Sequence, residues 1–179
     1  MMYINVRREV EKDYAVCEQV IDKAFEKEVH SDHREKHLVS RLRKSDAFIP
    51  ELSLVAVKDN NVIGHIMYTK LIIKNNNKEE LSLALAPLSV LPEFQRKGVG
   101  SKLVNKSLEI AKNLGYKSVI VLGHVDFYPK FGFVPASKWN IKGPFEVLDE
   151  YFMALELEKD ALSNISGTVI YSKEFFENN

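Results

Sequence analysis

Gln95-Arg96-Lys97-Gly98-Val99-Gly100 combines positive charge with two bare backbone positions at the start of an amphipathic segment. The glycines let an anion approach the main chain and admit conformations that other residues resist. Arg96 and Lys97 add cationic charge at the same spot. If a helix opens at Val99, the unpaired N–H groups of Val99, Gly100 and Ser101 converge there with the positive end of its dipole. That is a seat for a pyrophosphate. A Walker loop is excluded, because it needs Lys after its second glycine and then Ser or Thr. A dinucleotide fingerprint fails too, since position 103 is Leu where a third glycine is required. A nucleotide-phosphate hydrolase is therefore disfavoured. Two glycines alone are also compatible with an ordinary helix start behind a permissive turn.

Other side chains have the types for proton or metal chemistry. Glu51 and Asp126 are carboxylates able to take a proton from an attacking group, although exposed carboxylates are usually just solvated. His65, inside Gly64-His65-Ile66, either lines a cleft or fills a half-buried strand position. His33 and His37 stand one helical turn apart with His30 nearby, but Arg34 follows His33 where a zinc protease carries Glu, and no complete ligand set is visible. No metal is expected, and the segment reads as a solvated flap. Trp139, Phe145 and Phe152 are read as core, with an acceptor pocket as the other option.

The elements that must hold the loop are legible on both sides of it. At about 100° per residue from Val99, Val99, Leu103, Val104, Leu108, Ile110, Ala111 and Leu114 share one half-turn. Ser101, Lys102, Asn105, Lys106, Glu109, Lys112 and Asn113 fill the other, and Gly115 supplies the stop. A strand over 81–90 precedes the loop. Leu81, Leu83 and Leu85 alternate with small or polar residues, and beyond Ala86-Pro87 the large apolar positions shift to Leu88 and Val90. A one-residue slip is what a β-bulge does, and this reading is favoured over a strand that ends at Ala86. Pro87 weakens the pairing there. The rest predicts strands over 2–6, 52–57, 62–73, 118–122, 151–157 and 168–171, and helices over 13–25 and 33–44. Turns are expected at Asp59-Asn60-Asn61 and Asn75-Asn76-Asn77, with a brief helical turn within 125–131.

At 179 residues, one domain over 1–179 is expected, with an α/β core of ordinary size. Lys and Arg, 25 in all, balance 25 Asp and Glu, so no global charge draws the chain to nucleic acid or an anionic membrane. Neither is expected as a partner. The single cysteine, Cys17, excludes an internal disulfide and reads as a buried thiol in a reducing compartment. With no leader-like segment and no membrane-length apolar run, a cytoplasmic location is expected. A homodimer is left open.

Taken with its flanking strand and helix, the 95–100 motif resembles the cofactor loop of the GNAT acetyltransferases, and the resemblance extends over about residues 3–157. It implies a mixed sheet of about seven strands flanked by helices, with a bulged fourth strand splayed from the fifth. It also implies acetyl-CoA as co-substrate and an amine as acceptor. Leu88, Ser89 and Val90 would pair with the pantetheine arm and polarise the thioester, while Gln95, Arg96, Lys97, Gly98, Val99, Gly100 and Ser101 would hold the phosphates. Tyr128-Pro129-Lys130-Phe131-Gly132-Phe133 matches the family's Tyr, three residues, Gly-Phe pattern, which implies Tyr128 as the general acid. Read by itself, Tyr128 is more readily a member of an aromatic cluster with Phe127, Phe131 and Phe133 than a catalyst, and the loop upstream reverses that preference. Val121 and His124 stand where many members carry Asn and Ala, and the run from Leu122 is similar to a subgroup of small bacterial acetyltransferases of poorly defined substrate. His124 is a candidate proton relay or a structural histidine. An alternative on the same fold is a non-catalytic acyl-CoA sensor.

Overall fold

Asp59 and Asn60 both adopt left-handed backbone, φ 47° and 64°, the conformation of a tight two-residue hairpin turn. In the computed structural model, which describes residues 3–76 and 78–177, they join β2 (Phe48–Lys58) to β3 (Asn61–Asn75). The chain divides into two compact units interleaved in sequence, Met1–Tyr68 with Ala86–Ile110 and Thr69–Leu85 with Ala111–Asn179.

The first unit begins with β1 (Asn5–Arg8), antiparallel to β2, with Asn5 opposite Val57 and Arg8 opposite Leu54. Strand order continues through β3 to the last residues of β4 (Lys78–Val90). Helix α1 (Tyr14–Phe25) buries Cys17, Val20 and Ile21, and a core forms from Cys17, Val20, Val55 and Val62. Helix α2 (Glu35–Leu42) buries Val39 and Leu42. The expected flap is thus pinned along part of its length. Helix α3 (Val99–Asn113) begins in this unit, and Val99, Leu103 and Val104 on its apolar half-turn are buried.

In the second unit the first half of β4 runs parallel to β5 (Ser118–Leu122), with Leu83 opposite Val119 and Ala84 opposite Ile120. The other edge of β5 is antiparallel to β8 (Phe152–Glu156), from Ser118 opposite Glu156 to Leu122 opposite Phe152. The two-residue strand β6 (Val134–Pro135) pairs with β8. The end of β3 pairs antiparallel with β9 (Gly167–Ile170), which pairs parallel with β7 (Ile141–Lys142). Leu71, Ile73, Ala84, Ile120, Phe152, Ala154 and Val169 belong to its core.

The fold is the expected α/β class, an open mixed sheet with flanking helices. Nine strands occur among the described residues rather than about seven, because β6 and β7 are too short to leave a pattern. The first strand runs to Arg8, not over 2–6, and Met2, like Asn77 of the second expected turn, lies outside the described residues. β2 starts at Phe48 despite Pro50, since β1 pairs only with 54–57 and no β1 partner needs a donor at Pro50. α2 starts at Glu35 rather than 33, because His33 has φ 58°. β4 runs unbroken through Ala86 and Pro87 to Val90, so the strand does not end at Ala86.

Candidate active site

Beyond β4, the Leu91 N–H donates to the Ile63 carbonyl at 2.9 Å, and a short 3-10 turn occupies Pro92–Phe94. The Gln95 side-chain amide donates to the Val90 carbonyl at 3.1 Å and ties the loop to the strand end. Arg96 and Gly98 are left-handed, φ 57° and 84°. A Cβ built on Gly98 would meet nothing within 4 Å, so this glycine serves backbone conformation and leaves its outer side open. Arg96 and Lys97 are exposed there, and the first-turn N–H groups of α3, at Val99, Gly100 and Ser101, have no acceptor within the helix. Exposed cationic side chains, open space beside Gly98 and the first-turn amides of α3 thus lie together at the start of the helix.

Leu88 and Val90 are half-buried, whereas Ser89 between them is buried and its hydroxyl has no hydrogen-bond partner. Gly64 had no place in the sequence reading of the site. A Cβ there would lie 3.1 Å from both the Ser89 carbonyl oxygen and Leu103 Cδ1, and 3.3 Å from Val99 Cγ1. The missing side chain lets β3 lie close under β4 and the start of α3.

In the second unit, Tyr128 opens a 3-10 turn, Tyr128–Phe131, closed by left-handed Gly132. Its ring packs edge-on against Phe127 at 5.0 Å and Phe133 at 5.6 Å, so the aromatic cluster is real and fixes the phenol. Packing and chemistry are compatible. Burial pushes the Tyr128 phenol well above its ordinary pKa, which keeps its proton in place at neutral pH. Gly123, at the end of β5, donates to the Tyr151 carbonyl at 2.9 Å, and a Cβ there would lie 2.2 Å from Tyr128 Cε2. The ring stands where that side chain would be. His124 is exposed, and its carbonyl accepts the Phe127 and Tyr128 N–H groups at 3.1 and 3.3 Å. Asp126 is exposed as well.

Four segments of the first unit converge on a cluster absent from the sequence reading. Glu9 meets Arg43 at 2.5 Å, accepts the Ser53 hydroxyl at 2.6 Å and lies 3.3 Å from His65 Nε2. Burial alone would raise the Glu9 carboxyl. The His65 bond and charge, with the Arg43 and Ser53 bonds, outweigh it and hold the group far below the usual carboxylate range. His65 is wholly buried rather than half-buried. Glu9, Cys17 and His65 offer ligand atoms within 4.8 Å of one another. They do not suit a metal, because the Arg43 guanidinium already neutralises Glu9, and burial followed by the Glu9 charge pushes the Cys17 thiol far up.

His30, His33 and His37 are exposed, and among the described residues they join no metal-ligand group. Glu51 is exposed on β2. Phe152 is buried in the core of the second unit and Trp139 packs against it, as expected, whereas Phe145 is exposed rather than core and, with Phe152, Leu148 and Asp149, lines an open groove of about 1030 Å³.

Comparison with known proteins gives the family and its relatives. The family model described as Acetyltransferase (GNAT) family matches residues 18–133. The uncharacterized N-acetyltransferase YjhQ of Escherichia coli is 35% identical over 119 residues, a match spanning 66% of each chain, just under two thirds. A GNAT family acetyltransferase from Brucella melitensis, crystallised with acetyl-CoA, superposes with a TM-score of 0.80 at 30% identity, covering 98% of this chain and 99% of that one. Escherichia coli YhbS, crystallised with CoA, gives a TM-score of 0.84 at 25% identity, covering 100% and 95%.

Proposed function

This chain belongs to the GNAT acetyltransferase family, and on that footing we propose that it transfers an acetyl group from acetyl-CoA to a primary amine by direct attack in a ternary complex. The observation that carries the reading is the seat at the start of α3, where left-handed Gly98 leaves open space beside Arg96, Lys97 and unpaired helix amides. Two structural relatives crystallised with acetyl-CoA or CoA support it. Bound acetyl-CoA supplies an acetyl group activated by its thioester.

The residues of this chain divide the remaining work. Residues 95–101 neutralise the phosphates. Backbone groups of Leu88, Ser89 and Val90 hold the pantetheine arm, and one N–H polarises the acyl carbonyl. A donor fixed where negative charge grows contributes about 3 kcal/mol. The Tyr128 hydroxyl holds the proton that the sulfur takes up on leaving. Burial raises the Tyr128 phenol above its ordinary value, so the hydroxyl stays protonated until negative charge develops on the departing sulfur beside it, and the proton moves in that step. The protein works in the cytoplasm in this reading.

A thiol-release screen of acetyl-CoA against a panel of primary amines tests the proposal. At least one amine should support turnover, and Tyr128→Phe should lower kcat by about 10²–10⁴-fold with little change in CoA affinity. CoA binding without thiol release from any amine would give the sensor reading instead.

A further inference from the structure

Phe145, Val147 and Leu148 are exposed apolar side chains crowded into one loop, with Leu148 as much as 68% accessible. All three line the groove of about 1030 Å³ in the second unit, which has room for a small organic molecule. Single exposed apolar residues need no explanation, but a contiguous patch marks a binding surface. Its floor is fixed. The Phe145 ring stacks on Tyr171 at 6.2 Å and meets Phe152 edge-on at 6.3 Å, and Phe152 is itself anchored in the core. A Cβ on Gly143 would lie 3.4 Å from the Phe145 ring and 3.5 Å from the Phe152 ring, so a bare residue at 143 keeps both uncovered.

Charge narrows the occupant. Glu146 and Asp149 line the groove against one cation, Lys142, which leaves a single net negative charge. One ammonium balances it. A primary amine is an ammonium at neutral pH, since such groups titrate near roughly 10. A polyamine carries more positive charge than this lining offsets, and a carboxylate on the ligand would meet Glu146 and Asp149 as a like charge.

The groove ends beside the Tyr128 turn. Phe152 stands opposite Leu122 in the β5–β8 ladder, so the two share a face, and Leu122 is 48% accessible. The bond from Gly123 N to the Tyr151 carbonyl continues the ladder by one pair, and at Gly123 the Tyr128 ring stands in for a side chain. Asp149 opens the 3-10 turn Asp149–Tyr151 that leads into this pair. Apolar surface therefore runs from Phe145 through Phe152 and Leu122 to the residue next to the phenol's support. Neighbouring residues of a strand direct their side chains to opposite faces. Groove and phenol thus flank the strand end from two sides, and an acceptor and a leaving sulfur do not compete for one space.

We propose that this groove binds the acceptor, and that the acceptor is a primary amine bearing one positive charge on an apolar body. The proposal deepens the amine-transfer reading and rests on it. The body lies on Phe145 and Leu148, and Asp149 draws the ammonium to the end nearest Gly123.

The test is thiol release from acetyl-CoA with 3-phenylpropylamine, propylamine and spermidine, for the wild type, Phe145→Ala and Asp149→Asn. Wild-type kcat/KM should favour the phenyl amine over propylamine by about 10–100-fold, carried mainly by KM, and should favour it over spermidine too. Phe145→Ala should cut the phenyl-over-propyl preference by about tenfold. Asp149→Asn should raise KM for the phenyl amine by about threefold at low salt, an effect that shrinks as salt is added. A merely structural loss would slow both monoamines together and leave their ratio unchanged. A wild-type preference under about threefold, or one that Phe145→Ala leaves intact, overturns the proposal. If Phe145→Ala does not fold, nuclear Overhauser contacts in the wild type decide. The phenyl protons should contact Phe145 and Leu148, and contacts confined to other residues overturn it. A dimer in sedimentation that Leu148→Glu disperses gives the groove to a second copy and overturns it as well. Phenyl contacts to Phe145 without thiol release from any amine are a separate failure, one that removes the amine-transfer reading and the acceptor role with it.

Discussion

Substituting alanine at Gly123 isolates the placement of the Tyr128 ring from everything else at the site. Gly123 is not among the left-handed glycines, which are 98, 115, 132 and 167, so alanine adds no backbone strain and only its methyl matters. That methyl would sit 2.2 Å from Tyr128 Cε2 and 2.7 Å from Cδ2. Carbon contacts settle near roughly 3.5–4.0 Å, so the ring must withdraw by about 1.5 Å. Phe127 and Phe133 pack edge-on against it on a turn closed by Gly132, so its withdrawal must displace those rings or the turn. Overpacking of this kind costs about 1–3 kcal/mol of stability. Displacing a reacting group by about 1 Å costs on the order of 10² in rate. In thiol-release kinetics, Gly123→Ala should therefore lose about 10²-fold in kcat, with KM for acetyl-CoA within about twofold, because the phosphate loop is untouched. Gly115→Ala is the control. Its φ of 86° imposes backbone strain of about 1–2 kcal/mol, but nothing lies within 4 Å of the new methyl, and turnover should be retained. A folded Gly123→Ala enzyme with wild-type kcat would remove Tyr128 from the chemistry.

Gly98→Glu places a carboxylate in the anion seat, and like-charge juxtaposition of several kcal/mol should weaken CoA binding by about 10²-fold or more in calorimetry. Near-native affinity would move the phosphates elsewhere. Arg43→Ala strands the Glu9 carboxylate in a dry site and should cost about 3–5 kcal/mol in urea unfolding; a loss under about 1 kcal/mol would mean that Glu9 is solvated. Stability should also fall at both pH extremes. Burial raises the folded-state pKa of Tyr128 and Tyr171, so their contribution is full below the ordinary phenol value of about 10 and is lost as pH rises beyond it. Glu9 is depressed, so its contribution is full above the ordinary carboxylate range and is lost as pH falls below it. A urea midpoint that holds steady on both flanks would refute these assignments.

Local signals were legible in the sequence wherever the chemistry is contiguous. The apolar half-turn of α3, the Asp59-Asn60 turn and β5 lie where periodicity and turn residues put them, since each is specified within a few neighbours. Leu114 is an exception. It falls on the apolar half-turn yet is exposed, because the helix ends at Asn113 before its face can be covered. The loop proposed to hold the phosphates stood out because its glycines and charges are adjacent in the chain. The Glu9 cluster was not, because Glu9, Arg43, Ser53 and His65 come from four segments and each alone looks like an ordinary surface or strand residue. Gly64 and Gly123 were passed over for a related reason. What matters at both is the atom that would collide with a side chain, and that atom belongs to a partner invisible in the local sequence.

Cys17 has a practical consequence at the bench. It is the chain's one thiol, it has no solvent exposure, and its ionisation is suppressed by burial and by the neighbouring Glu9 charge. A chromogenic disulfide reagent added to the folded protein therefore has only liberated CoA to react with, and the colorimetric baseline stays flat. Denatured protein adds one further equivalent per chain. The same cuvette thus reports product formation and the fraction of protein that has lost its fold.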